Sequence, residues 1–434
     1  MKPLSGLFFY MPNSILTIEG NIVQKSGLQR NRVEIDQRTG LITKVSEPTG
    51  VADIVLKDEL IFPGFIDLHV HAREDTSHTQ DYKEDFTTAG EAAINGGVVA
   101  FAEMPNNPVP PVDDASYDAK KELTKKSKVT VLLYAGIGEN TKPLSRKTPY
   151  KVYMGPSVGT LFFKSILDLE KVLAQYHGCF VSFHTEDPEI LEAHKGEATH
   201  EARRPKEAEI SAVDFALQMI EKYNLKGKIC HCSTREGIEK IKNAKDRGLD
   251  VVAEVSPHHL YFSQNMITEN NRDWMQMNPP LRSESDRNYL VEALRAGTID
   301  FLATDHAPHT EEEKLKGTSG TPQLDTYGPF TTFLMKEHGF TPADIVRVCS
   351  NNPGNFLNNF ISGKPTEKNI QAGKYGKIEE GYIGSLTILS MEKPIKITKN
   401  ILKTKCGWSP FEDITFPGSV AMTIIKGIPH QSKA

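Results

Sequence analysis

The sequence predicts an α/β protein: a (β/α)8 TIM-type barrel carrying a small discontinuous β-sandwich domain made from both ends of the chain. Three observations lead there. Through the middle of the chain, apolar strand-like runs alternate with charged helix-like stretches. About eight such units imply a closed barrel of parallel strands. The two ends break this rhythm and read as short strands separated by turn residues.

The N-terminal strands are Ser14–Glu19, Arg32–Asp36 and Leu41–Val45, each with apolar alternation. Barrel strands follow at Ile61–Leu68, Val98–Glu103, Val129–Tyr134, Cys179–His184, Lys228–Cys232, Val251–Val255 and Ile299–Thr304. Helices are expected at Ala208–Tyr223 and Arg235–Arg247. Ser385–Leu389 and Ser419–Ile425 are the C-terminal strands. The expected division is 1–61 and 366–434 in the small β domain and 62–365 in the barrel. An open doubly wound sheet is the alternative to the barrel.

Of the 434 residues, 38% are hydrophobic and 25% are charged, which suits a chain with a large core. The net charge of −5 is dispersed, and this argues against binding nucleic acid by phosphate neutralisation. No apolar run reaches the ~18 residues that a membrane helix needs. Met1–Tyr10 makes a poor signal peptide, with one lysine and only a short Leu-Phe-Phe-Tyr patch. Five cysteines, an odd number without an export signal, fit a reducing cytoplasm.

The strongest local signal is Pro63-Gly-Phe-Ile-Asp-Leu-His-Val-His-Ala-Arg-Glu74. His69 and His71 share one face of a strand and can converge on one metal ion. Alone the pair would be weak, but it sits where a strand enters a loop, the end of a barrel where catalytic groups gather. Other strand ends offer the same chemistry: His184, His231, and Asp305 followed by His306 and His309. Several imidazoles with a carboxylate suit zinc better than magnesium or calcium.

Cys230 and Cys232 flank His231 and invite a Cys-x-Cys reading. Strand alternation argues against it: if His231 points inward, both thiols should point outward to the helices. Lys151, in Tyr150-Lys-Val-Tyr-Met-Gly155, is either an edge lysine or one that carries CO2 as a carbamate between two metals.

With these residues in place, the chain resembles the cyclic amidohydrolases, most closely the dihydroorotases. The matching segments are Pro63–Glu74, Glu103-Met-Pro-Asn-Asn-Pro108, Glu254-Val-Ser-Pro-His-His-Leu260, Asn278-Pro-Pro-Leu-Arg-Ser283, Thr304-Asp-His-Ala-Pro-His-Thr310 and Trp408-Ser-Pro-Phe-Glu412. The resemblance implies a first metal on His69, His71 and Asp305 and a second on His184 and His231. It implies two zinc ions per chain, bridged by carboxylated Lys151 and a hydroxide. It makes Asp305 the proton carrier and Arg73, Asn106, Asn278 and His309 the substrate-holding residues. The implied reaction interconverts L-dihydroorotate and N-carbamoyl-L-aspartate in pyrimidine biosynthesis. A homodimer is also implied, with neither nucleic acid nor membrane as a partner.

Arg73 bears on the substrate, because a guanidinium can hold a carboxylate bidentately. Dihydroorotate has one; dihydropyrimidine and hydantoin do not. Its bland alternative is a salt bridge with Glu74 or Asp75. Three positions depart from the family: Ala72 for leucine, Asn107 for threonine, and Gln323 in a glycine place within Gly320–Thr326. Met154–Leu161 has the glycines and proline of a lid. The rivals are a hydantoinase, dihydropyrimidinase or allantoinase, which need no carboxylate clamp, and a non-catalytic scaffold in the pathway.

Overall fold

The computed structural model describes residues 15–24, 27–156, 161–361 and 373–431. The N-terminal decapeptide, half of the lid segment (157–160) and the 365/366 boundary lie outside the described residues.

Four strands open the chain: β1 (Ile15–Gln24), β2 (Gly27–Asp36), β3 (Leu41–Ser46) and β4 (Ile54–Pro63). Parallel strands follow: β5 (Phe65–Val70), β6 (Val98–Glu103), β7 (Thr130–Leu133), β8 (Ala135–Ile137), β9 (Tyr150–Tyr153), β10 (Phe180–His184), β11 (Lys226–Ile229), β12 (Val251–Val255) and β13 (Phe301–Leu302). The chain ends with β14 (Leu386–Ser390), a ribbon of β15 (Ile395–Lys396) and β16 (Thr415–Phe416), then β17 (Ser419–Ile425) and β18 (Ile428–Gln431).

Strands β5–β6–β7 pair in parallel, and β8–β9–β10–β11–β12–β13 continue in the same sense. Only Tyr134 separates β7 from β8, so the two act as one broken strand. The ring closes where Val70 bridges His306 and His71 N–H donates to the His306 carbonyl at 2.8 Å. Eight strand positions therefore form a barrel, and the open-sheet alternative is set aside. Its strands are buried along nearly their whole length and read as apolar runs, as both-face burial requires.

Expected and observed elements coincide closely where apolar periodicity is clean. Val98–Glu103, Val251–Val255 and Ser419–Ile425 match residue for residue. The helices form as Lys206–Lys222 and Arg235–Asp246. The run Ile61–Leu68 divides at Gly64: β4 joins the terminal sheet and β5 enters the barrel. A Cβ at Gly64 would meet Val99 Cγ2 at 2.4 Å, so the crossing chains need glycine there.

Strands from both ends share one seven-stranded sheet in the order β18-β17-β14-β4-β1-β2-β3. It encloses its own apolar cluster, including Ile18, Val33, Ile35, Ile61, Ile388 and Ile424. Among the described residues no helix is long and apolar enough to cross a membrane.

Candidate active site

The C-terminal ends of the barrel strands converge on one cleft. His69, His71, Arg73, Asn106, His184, His231, Asn278 and Asp305 line it. Lys151 is fully buried on β9 beneath them, and His309 touches Arg73 from the side. The ten residues singled out from sequence thus meet in one place.

Two groups stand out within it. His69 Nε2 and His71 Nε2 lie 3.1 and 3.2 Å from Asp305 Oδ1. His184 Nδ1 faces His231 Nε2 at 2.9 Å. The His69 and His231 rings, 5.2 Å apart by their centres, join the two groups.

Outer partners fix the direction of three imidazoles. His69 donates from Nδ1 to the Glu254 carboxylate, His71 from Nδ1 to Asn106 Oδ1 at 2.6 Å, and His184 from Nε2 to Glu186 at 2.8 Å. Each remaining ring nitrogen then turns its lone pair inward, the arrangement by which metal-binding histidines are oriented. Burial holds His69 down to about 3 and pushes His71 and His231 well below their usual range, so the imidazoles stay neutral. Burial pushes Asp305 well above the carboxylate range, against the pull of Lys151.

Glu254 and Glu186 drew no role from sequence. Each is isolated from water, yet each remains ionised. Burial favours the neutral Glu254 acid, but Lys228, 2.6 Å away, and His69 outweigh it. Arg204, followed by His184, does the same for Glu186. The His184-x-Glu186 spacing was a usable signal, since a second side chain two residues on can return to the same face. Tyr153 also lines the cleft and went unremarked.

Arg73, His231 and Asp305 have φ of +64°, +35° and +50°. Left-handed backbone in non-glycine residues costs about 1–3 kcal/mol each and gathers at functional sites. The neighbours that hold Arg73 in place include Asn107, which donates to its carbonyl at 3.1 Å, and Glu103, which accepts from Ala72 N–H at 2.6 Å. The Asn107 departure from threonine thus supports the loop.

One expectation fails. Cys230 points into the barrel, with its sulfur within 4.8 Å of donor atoms of His69 and Glu254. The reason is local. Lys228 points inward to Glu254, so alternation carries Cys230 inward too. The strand ends at Ile229, and the positive φ of His231 turns its imidazole back to the centre. Cys232 does pack outward in the apolar core.

The Lys151 amine is fully buried on an interior strand and has no hydrogen-bond partner among the described residues; its interior place removes the edge-lysine reading. Arg73 forms no ion pair with Glu74 or Asp75; among the described residues those carboxylates bind Lys126 and Ser77. Gln323 does not line the cleft. Its amide donates to the Thr304 carbonyl and Thr321 Oγ1, both at 3.0 Å, and to His258.

Residues 60–428 match the model of the amidohydrolase family. The chain belongs to that family. A dihydroorotase of Thermococcus kodakarensis is 32% identical over 95% of this chain and 93% of its own. One from Bacillus pumilus is 31% identical over 95% of each. In fold, the amidohydrolase chain superposes on the L-hydantoinase (dihydropyrimidinase) of Arthrobacter aurescens with a TM-score of 0.86, at 22% identity over 96% of each chain. The amidohydrolase cleft meets the chemical demand of a cation site: inward lone pairs from neutral imidazoles, one carboxylate and an orphaned amine.

Proposed function

We propose that the protein is a dihydroorotase, interconverting L-dihydroorotate and N-carbamoyl-L-aspartate by reversible hydrolysis of the ring amide. The observation that carries the reading is Arg73. Its guanidinium is buried in the cleft beside the imidazole cluster, and among the described residues it has no carboxylate partner and its Nη1 makes no hydrogen bond. A cyclic amide that brings its own carboxylate would complete it. An uncharged hydantoin or dihydropyrimidine would leave a buried cation unpaired, which is costly.

Two zinc ions, one on His69, His71 and Asp305 and one on His184 and His231, with Lys151 as a carbamate between them, would supply an activated water near neutral pH and polarise the carbonyl. Lys151 suits that part because its amine is orphaned and buried beside all these groups.

The remaining work falls to side chains. Arg73, Asn106, Asn278 and His309 hold the substrate carboxylate and ring, which fixes the amide carbon for attack. Asn278 Oδ1 is buried without a partner among the described residues and opens on the same cleft. Asp305 accepts the proton of the attacking water and passes it to the leaving ring nitrogen. The C–O bond forms, the amide C–N bond breaks, the carbon becomes a carboxylate and the nitrogen becomes the terminal amide of the carbamoyl group. Ring closure reverses these steps.

This reading carries with it the domain division 1–61, 62–365 and 366–434, a cytoplasmic location and a homodimer, with no nucleic-acid or membrane partner. Its test is turnover in both directions by zinc-reconstituted protein. Formation of N-carbamoyl-L-aspartate from L-dihydroorotate, and the reverse, is expected. Absence of both at full metal loading would overturn it.

A further inference from the structure

We propose that Lys314 is a specificity-determining residue: a buried cation, set behind the Arg73–His309 pair, that shapes the cleft wall and selects for an anionic ring. The inference rests on the dihydroorotase reading and deepens it.

Lys314 belongs to the short helix Glu311–Leu315, which Thr310 caps. Its side chain is completely buried. The Nζ atom lies 2.9 Å from the Gln276 carbonyl, 2.8 Å from that of Thr318 and 3.0 Å from that of Gly320. Three carbonyls around one nitrogen need three N–H donors, and only the ammonium form has them. Its fourth side faces the Trp408 ring, 5.7 Å from the ring centre.

The charge lacks a counterion. Among the described residues no carboxylate pairs with Lys314. The acids of its own helix are engaged elsewhere: Glu311 with Lys399, Glu312 with Lys316 and Glu313 with Lys83. Burial draws Lys314 down to about 7, with Asp273 the acidic group that opposes the shift. Isolated buried cations are expensive unless something compensates them.

Its position sets this charge against the cleft. Thr318 and Gly320 flank Ser319, and Gln276 lies two residues before Asn278. Ser319, Gly320 and Asn278 all line the cleft. A Cβ at Gly320 would meet the Ala307 carbonyl at 2.7 Å, so this loop is pressed against the segment that follows Asp305. Lys314 therefore ties together two walls of the cleft. It also adds charge there. After burial itself, Arg73, Lys83 and Lys314 in that order depress His309, which stays neutral among three cations. The Trp408 indole N–H holds the His309 carbonyl at 2.7 Å, closing the assembly. Arg73 touches the substrate carboxylate in the proposed reading, whereas Lys314 acts through field and loop. Lys83 is paired with Glu313, but among the described residues neither Arg73 nor Lys314 has a carboxylate within ion-pair distance; a site with two such cations attracts an anion and disfavours its neutral counterpart.

The test uses competitive inhibition of zinc-loaded protein by orotate, a ring that bears a carboxylate, and by methyl orotate, its neutral ester. In K314Q the orotate inhibition constant should rise about tenfold or more while that of the ester stays within about threefold. In K314R, which keeps the charge, the preference for orotate should survive. Equal weakening of both ligands in K314Q would show a loop effect only, and unchanged orotate binding would show no role; either overturns the proposal. Should K314Q not fold, K314R decides: retained preference supports the proposal and equal weakening overturns it. Failure of the dihydroorotase reading is separate, because it shows in wild-type protein as no turnover of L-dihydroorotate, and it removes this inference as well.

Discussion

Arg73 Nη2 lies 3.1 Å from His309 Nε2, while Arg73 Nη1 is buried and makes no hydrogen bond among the described residues. Burial and the neighbouring cations hold His309 neutral, so its ring can accept from the guanidinium or turn to a ligand without adding charge. Truncating one member of a buried charge pair costs about 2–5 kcal/mol. Arg73→Met should therefore raise KM for L-dihydroorotate about 100-fold, with a smaller change in kcat. An unchanged KM in steady-state kinetics would remove Arg73 from the substrate site.

Asp305 shares one oxygen between His69 and His71, and burial favours its protonated form. A positioned proton carrier contributes about 10²–10⁴-fold. Asp305→Asn should lose turnover on that scale while metal analysis finds most of the zinc still bound. Full activity in this variant would rule out the proposed base.

The Lys151 amine has no hydrogen-bond partner among the described residues in its buried site. Protein prepared with ¹³C-bicarbonate should show a carbamate carbon in its NMR spectrum. Lys151→Met should lose that signal together with bound metal. The same signal in both proteins would assign the carbamate elsewhere.

Glu254 joins His69 to Lys228, with the Lys228 ammonium 2.6 Å from its carboxylate. Removing the charge both frees the imidazole and strands the lysine. Glu254→Gln should weaken zinc binding about 10–100-fold. It should also cost about 3–5 kcal/mol in urea unfolding, the usual effect of breaking a buried pair. Wild-type zinc affinity in a folded Glu254→Gln protein would contradict the orienting role.

His259 donates from Nε2 to the Pro279 carbonyl at 3.0 Å, and burial holds it at about 3, against an ordinary value of 6.5. The folded state therefore binds fewer protons here than the unfolded chain. This group's contribution is fully present above pH 6.5 and is lost as pH falls from 6.5 towards 3. Urea midpoints of metal-free protein should fall less steeply with acid in His259→Gln than in wild type. Parallel curves would mean that His259 is not kept neutral.

Much of the barrel was legible because both-face burial writes each strand as an apolar run, and His69, His71, His184 and Asp305 mark where those runs end. Alternation located the faces correctly only while the strand lasted. It misplaced Cys230 because β11 stops at Ile229 and His231 takes a positive φ, a change no periodicity announces. Gln323 looked like a substrate-site departure, yet it lies behind the cleft as a backbone brace. Glu254 and Lys314 stayed hidden for another reason. Their parts depend on partners 185 and 38 residues away, which only folding brings together, whereas the partner of Glu186 was two residues away and legible in the His184-x-Glu186 spacing.

The most direct test of the central claim is a substrate panel on zinc-reconstituted protein, with bound metal counted in the same sample. L-dihydroorotate, dihydrouracil, hydantoin and allantoin would be compared by kcat/KM. A strong preference for L-dihydroorotate, with about two metals per chain, is the predicted result. Preference for an uncharged ring would keep the imidazole site but contradict the carboxylate-holding role of Arg73 on which the assignment rests.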